Sequence, residues 1–214
     1  DPDAPKHRGI SLFIVDMKTP GITITAHETM GGWEHHSVFF NNVRVPRTDL
    51  VGELNQGWYH MMFAVDDERA SLGNCGALLR SFDRLVAYCK QTTRDGEPLS
   101  KDPITRHKLA DLAVDVEAAR LLSYRVASMC VKGLHPDYEA SLSQLFKRET
   151  ERRVQYAGLE VVGLYAQLKT DSKWVPLEGV VERSYRNDIY FHFAAGGFDI
   201  LRNVIAGRAL GLPR

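Results

Sequence analysis

Surplus charge, cysteine and long apolar runs are all scarce in this sequence, and each shortage closes off a class of function. Lys and Arg together number 27, as do Asp and Glu, so the formal net charge is zero. A chain without a cationic excess has no electrostatic pull on nucleic acid or on an anionic membrane surface. Three cysteines, Cys75, Cys89 and Cys130, are too few and too dispersed for a disulfide framework or a Cys-x-x-Cys metal site. They read as small core or near-surface residues of a protein in a reducing compartment, and the expected localisation is cytoplasmic. No stretch approaches the ~18 apolar residues of a membrane span, and no signal peptide is visible, so membrane insertion is not expected. Internal repeats and low-complexity tracts are absent as well.

What is present is an ordinary globular composition, 44% hydrophobic and 25% charged over 214 residues, enough for one large domain or two small ones. Residues 10–15, 22–26, 37–40 and 43–45 are short β-rich runs separated by Thr19-Pro20-Gly21, Met30-Gly31-Gly32 and Asn41-Asn42, each able to turn the chain. After Gly57 the period becomes helical. One helix is expected over 58–90 and a polar loop over 91–102. Another helix carries Leu109, Leu112, Val116, Ala119, Leu122, Val126 and Met129 at spacings of three and four, ending at Gly133. Asp137 is placed to cap the next, whose apolar line runs from Leu142 to Leu164, and a shorter helix is expected over 180–190. The fold class is therefore mainly α: an up-and-down four-helix-bundle-like domain over 55–214, preceded by a partial antiparallel β-domain over 1–54.

The final stretch, Ser184 to Arg214, carries the most information. A helix leads into Ala194-Ala195-Gly196-Gly197, a hinge with little bulk, and a new helix follows with Asp199 as its expected cap and Ile200, Leu201, Val204 and Ile205 as its apolar side. Gly196-Gly197-Phe198-Asp199-Ile200-Leu201-Arg202-Asn203 resembles the C-terminal segment of acyl-CoA dehydrogenases, usually Glu-Gly-Thr or Gly-Gly-Thr followed by Glu-Ile-Gln-Arg-Asn. A second match, Phe39-Phe40-Asn41-Asn42-Val43-Arg44-Val45-Pro46 followed by Leu50-Val51-Gly52-Glu53, resembles that family's exit from β-domain to helical domain. The resemblance implies that the chain covers roughly the second half of a family member, with an N-terminal helical domain and the first β-strands lying before Asp1.

It also implies a chemistry. Acyl-CoA dehydrogenation removes the proton α to a thioester while a β-hydride moves to FAD, so a carboxylate must meet Cα in a dry pocket. Many members carry that base at the first position of the glycine turn, where this chain has Ala195. A subset places it on an earlier helix in a Glu-Arg context, which Glu68-Arg69 matches. Spacing alone leaves two readings of Glu68: a base on a stripe with Ala64 and Leu72, or one member of a solvated patch with Asp66, Asp67 and Arg69.

For the cofactor, the family's Arg-x-x-Phe-Gly loop corresponds to Thr92-Thr93-Arg94-Asp95-Gly96, without the Phe. Its Gln-x-x-Gly-Gly corresponds to Glu160-Val161-Val162-Gly163-Leu164. Glu160 brings a carboxylate toward a pyrophosphate and Leu164 adds a side chain where backbone must come close. The implied FAD contacts are Arg94, Glu160, Gly163, Gly196, Gly197 and Asp199. Arg94 reads equally as a solvated loop arginine, and Gly163 as a helix-packing glycine. Implied partners are an acyl-CoA, bulky or steroid-like by its nearest motif pattern, an electron-transfer flavoprotein or similar acceptor, and further subunits in a homo- or hetero-oligomer. A non-catalytic partner subunit is the alternative reading. Ala195 and Glu160 favour it and Glu68 opposes it.

Other chemistries find little footing. His35 and His36 are adjacent in a strand and point to opposite faces, so no metal site is expected. Ser71 and Ser184 lack a nucleophile elbow, and Trp33, Trp58 and Trp174 read as core or interface aromatics.

Overall fold

The computed structural model describes residues 1–191, 193, 194 and 196–213, without the side chains of residues 66, 67, 69–72 and 191. The chain divides into two compact units, Asp1–Glu68 and Arg69–Arg214.

In the first unit, β1 (Ile22–Glu28) and β2 (Glu34–Phe40) form an antiparallel hairpin, with Ile22 opposite Phe40 and Glu28 opposite Glu34. Thr29 closes its turn by donating its hydroxyl to the Trp33 carbonyl at 2.8 Å. The expected strands over 10–15 and 43–45 do not form. Phe13 makes a single bridge to Leu50, backed by the bonds Ile14 N–H to Asp49 O and Val51 N–H to Leu12 O. Alternation makes these segments extended, but a strand also needs a ladder partner, and here the pairing stops after one bridge. Both hairpin faces are open, with Ile24, Val38, Phe39 and Phe40 exposed. A lone hairpin of this kind is marginal in water.

Gly57 starts α1 (Gly57–Leu72), where a β-carbon would lie 2.3 Å from the Leu12 backbone nitrogen. The expected single helix over 58–90 is in fact two, because the chain breaks before α2 (Gly76–Gln91). At the break a β-carbon on Gly73 would sit 2.7 Å from Ser143 Oγ, and the Asn74 side chain accepts from the Gly76 N–H at 2.8 Å. An Asn turn and a glycine pressed on another helix outweigh an unbroken helical period.

The polar loop after α2 folds into a minimal hairpin, β3 (Thr93–Arg94) against β4 (Glu97–Pro98). Then α3 (Pro103–Val131) begins on a cap the periodicity does not reveal. The Asp102 carboxylate accepts from both the backbone N–H and the hydroxyl of Thr105 at 2.8 Å, which holds it below the usual carboxylate range. Gly133, with φ +70°, closes the helix as expected. Asp137 precedes α4 (Tyr138–Val162) without capping it; its carboxylate pairs with Arg208 instead. Behind α4 lie α5 (Val180–Phe191) and α6 (Phe198–Val204).

Helices α2, α3, α4 and α5 form the four-helix-bundle-like body, with α4 central: it packs against α2, α3, α5 and α6. The main core gathers Leu78, Leu85 and Cys89 of α2, Leu112, Val116 and Ala119 of α3, and Val154, Ala157 and Val161 of α4. Its spacing follows the helical repeat of each element, which is why the bundle was legible. A smaller cluster of Leu145, Phe198 and Leu201, with Ile205 against it, seats α6 on α4.

Candidate functional site

Glu68 is the last residue of the first unit and stands exposed on α1. Met61 and Ala64, seven and four residues earlier on the same helical face, are exposed too. The carboxylate is thus set in an open, apolar helix face. Leu72, the other expected neighbour, and Arg69 have side chains outside the described residues.

In the second unit, the expected cofactor residues form two groups. Arg94 of β3 reaches the C-terminal end of α4, where its Nη2 donates to the Val161 carbonyl at 3.2 Å. Cations are favoured at a helix C-terminus, where carbonyls lack partners. Gly163 follows with φ +68° and ψ −140°, and a β-carbon there would meet nothing within 4 Å. A packing glycine would show close neighbours, so its freedom here is conformational.

Glu160 is ion-paired with Lys108 of α3. That cation was invisible to motif reading because it lies in another helix, 52 positions away. It neutralises the carboxylate that would otherwise oppose a phosphate. Both residues line an open cleft of about 670 Å³ between α3 and α4, whose lining also includes Leu112, Ala157, Asp111, Arg152 and Arg153, the last paired with Asp115.

The other group is the glycine turn. Ala195 lies outside the described residues. Gly196 has φ +87°, and its carbonyl accepts from Arg148 Nη1 at 3.0 Å. Gly197, not Asp199, occupies the N-cap of α6. Asp199 stands inside the first turn and pairs with Arg202 at 3.4 Å, while Arg202 also holds Glu149 at 2.7 Å. The expected cap fails because the helix begins two residues sooner, directly at the glycine hinge.

Beside Phe198 lies a pocket of about 310 Å³ whose lining includes Lys147, Arg148, Glu151 and Asp188. Burial pushes the Glu151 carboxyl up, with Lys147 at 3.5 Å partly offsetting it, and burial pulls the Arg148 guanidinium down. Sequence reading saw the run 147–153 only as an interruption of an apolar line. The signal was there: charges at 147, 148 and 151, three and four apart, share one helix face with the core residue Val154.

His35 and His36 lie in β2 opposite His27 and Ala26, and His36 is 3.8 Å from Glu34. Among the described residues, no group of three or more His, Cys, Asp and Glu side chains could hold a metal ion. Among the same residues, no helix is long and apolar enough to cross a membrane.

In chain order, a β-segment is followed by a helical bundle that ends in a glycine hinge and a short terminal helix. The family model described as acyl-CoA dehydrogenase, C-terminal domain, matches residues 55–210, and the chain belongs to the acyl-CoA dehydrogenase family. It is 31% identical to the acyl-CoA dehydrogenase FadE29 of Mycobacterium tuberculosis, covering 100% of this chain and 55% of that protein. Against subunit CarC of the caffeyl-CoA reductase-Etf complex of Acetobacterium woodii, identity is 28%, over 95% of this chain and 53% of the other. Among solved structures, the Tcur3481-Tcur3483 steroid ACAD superposes with a TM-score of 0.92 at 29% identity, over 100% of this chain and 55% of that one. The chain thus spans about half the length of the relatives it matches.

Members of this family use FAD. The residues present fit the polar half of such a group: Lys108 offsets Glu160, Arg94 adds a second cation, and open backbone at Gly163 leaves room for close approach. Asp199 is an anion paired with Arg202 and brings no donor to it.

Proposed function

We propose that the complete protein oxidises an acyl-CoA thioester between its α and β carbons, with Glu68 as the base that takes the α-proton. The observation that carries this reading is a carboxylate in a Glu-Arg context on an open apolar helix face, in a family member whose glycine turn has no Glu. Bound FAD supplies the acceptor for the β-hydride. The chain's own work is to hold a proton acceptor at Cα, to cover the acyl chain with the apolar residues beside it, and to bind the cofactor's polar half. Arg94, Gly163 and the neutralised Glu160 serve that half, and Gly196 and Gly197 bring backbone close to the reacting end. Asp199, paired with Arg202, orders the helix behind them.

The steroid ACAD supports a bulky, steroid-like acyl group as the substrate class, and the Etf complex containing CarC supports an electron-transfer flavoprotein as acceptor. Residues 1–54 are proposed as the end of a β-domain and 55–214 as the helical domain, a division supported by the start of the family match at residue 55. Further subunits are proposed because the bundle leaves apolar residues of α3 exposed.

The test is to purify the full-length protein from its host with any bound subunit and present straight-chain and steroid-side-chain acyl-CoAs with an electron acceptor. The reading expects an enoyl-CoA product two hydrogens lighter. A flavin-free protein that turns over none of them, yet activates a second chain, would favour a non-catalytic partner subunit, to which the Ala at position 195 already points.

A further inference from the structure

We propose that Arg148 is a positioning residue: reaching out of α4, its guanidinium holds the Gly196 carbonyl and so fixes the turn between α5 and α6. The proposal rests on the functional reading above, in which that turn meets the reacting end of the acyl thioester.

Three observations converge on it. First, Arg148 is a cation almost removed from water, 7% exposed, on the most enclosed helix of the bundle. A buried guanidinium is costly unless its N–H groups find acceptors, and its Nη1 finds one in the Gly196 carbonyl at 3.0 Å. Second, the turn cannot fix itself. Gly196 sits at φ +87°, a region where glycine moves freely, and the hinge has no large side chain of its own to pack. It is instead held through its carbonyl. The Leu201 Cδ2 atom lies 3.8 Å from where a Gly196 β-carbon would be, and Arg148 holds the carbonyl.

Third, packing does not force Arg148 into this place. It borders the 310 Å³ pocket, which leaves space for other rotamers beside Glu151 and Asp188. Glu151, one turn further along α4, supplies opposite charge that keeps the guanidinium ionised against its burial. The bond to Gly196 is therefore selected by hydrogen bonding rather than by crowding. A carbonyl held from behind also has its own N–H neighbours held in direction, which is what a turn beside a reacting thioester requires.

The test uses the full-length protein with Arg148→Met, which keeps the stem and removes the donors, and Arg148→Lys, which keeps the charge and one donor direction. Amide hydrogen exchange is followed over residues 193–201 and over 105–126 of α3, with steady-state kinetics alongside. For Arg148→Met, exchange over 193–201 should rise about tenfold or more while α3 is unchanged. Its kcat should fall roughly 10- to 100-fold with KM held within about twofold, and Arg148→Lys should recover part of the loss. Unchanged exchange at the turn overturns the proposal. So does a loosened turn with unaltered kcat, or a parallel loss of protection in α3, which would mark general damage. If the parent protein oxidises no acyl-CoA at all, the functional reading fails, and the exchange measurement still decides whether Arg148 holds the turn.

Discussion

Truncating Leu201 to Ala should release the terminal helix before it unfolds the protein. Leu201 is 1% exposed and belongs to the small cluster with Leu145, Phe198 and Ile205 that seats α6 on α4. Leu→Ala in a packed core costs about 2.7–5.0 kcal/mol, the lower values belonging to sites that can collapse. With few members in this cluster and one end of it open, about 3 kcal/mol is the expected loss. That is large for α6, since even with the π-helical segment Ile205–Ala209 that continues it the helix is too short to persist without packing. At 1.4 kcal/mol per decade, exchange of the Leu201 amide, which donates to the Gly197 carbonyl at 3.1 Å, should accelerate about 100-fold. Amides of α3 should keep their protection, because the main core of Leu78, Cys89, Leu112 and Val154 is untouched. Hydrogen exchange read by mass spectrometry on full-length Leu201→Ala separates the two regions. Equal acceleration in α3 and α6 would refute the argument, as would acceleration of α6 by less than about fivefold.

Three other outcomes follow from the same structure. Glu151 has its folded pKa raised above 4.5 by burial, with Lys147 and Arg148 opposing the shift and Asp188 adding to it. Its contribution to stability is therefore complete below 4.5 and is lost as pH rises through the raised folded value. Glu151→Gln should gain stability relative to the parent over that rise in urea melts from pH 4 to 8, and a variant that loses stability relative to the parent as pH rises would contradict this. The outer face of α3 exposes Val114, Leu121, Tyr124 and Val131, so the 214-residue chain should self-associate, and a clean monomer by sedimentation at micromolar concentration would count against it. The same chain should be colourless and show no tight FAD binding by fluorescence quenching, because its residues suit only the polar half of the cofactor and must still order a flexible dinucleotide; stoichiometric flavin would overturn that.

The helices were legible because burial imposes a period, and Leu112, Val116, Ala119 and Val126 keep it along α3. The break after Leu72 was not, since it depends on Gly73 meeting Ser143 from a helix 70 positions on. Strands failed for the opposite reason: residues 10–15 have the right alternation, but a ladder is a property of two segments, and their partner pairing ends at Phe13 and Leu50. Caps sorted the same way. Asp102 binds Thr105 three residues on and could have been found, whereas Asp137 and Asp199 were drawn to Arg208 and Arg202. In the candidate site, the glycines and Glu68 were marked by motif, but Lys108 beside Glu160 and Arg148 behind Gly196 exist only through tertiary packing.

If Glu68 takes the α-proton, as proposed, the decisive variant is Glu68→Gln in the full-length enzyme. A positioned base contributes roughly 10²- to 10⁴-fold, so turnover of an acyl-CoA that the parent oxidises should fall by at least about 100-fold. The thioester should still bind, and the variant's melting temperature should stay near the parent's, since Glu68 is exposed. Turnover within about threefold of the parent would contradict the assignment and move the base to another carboxylate.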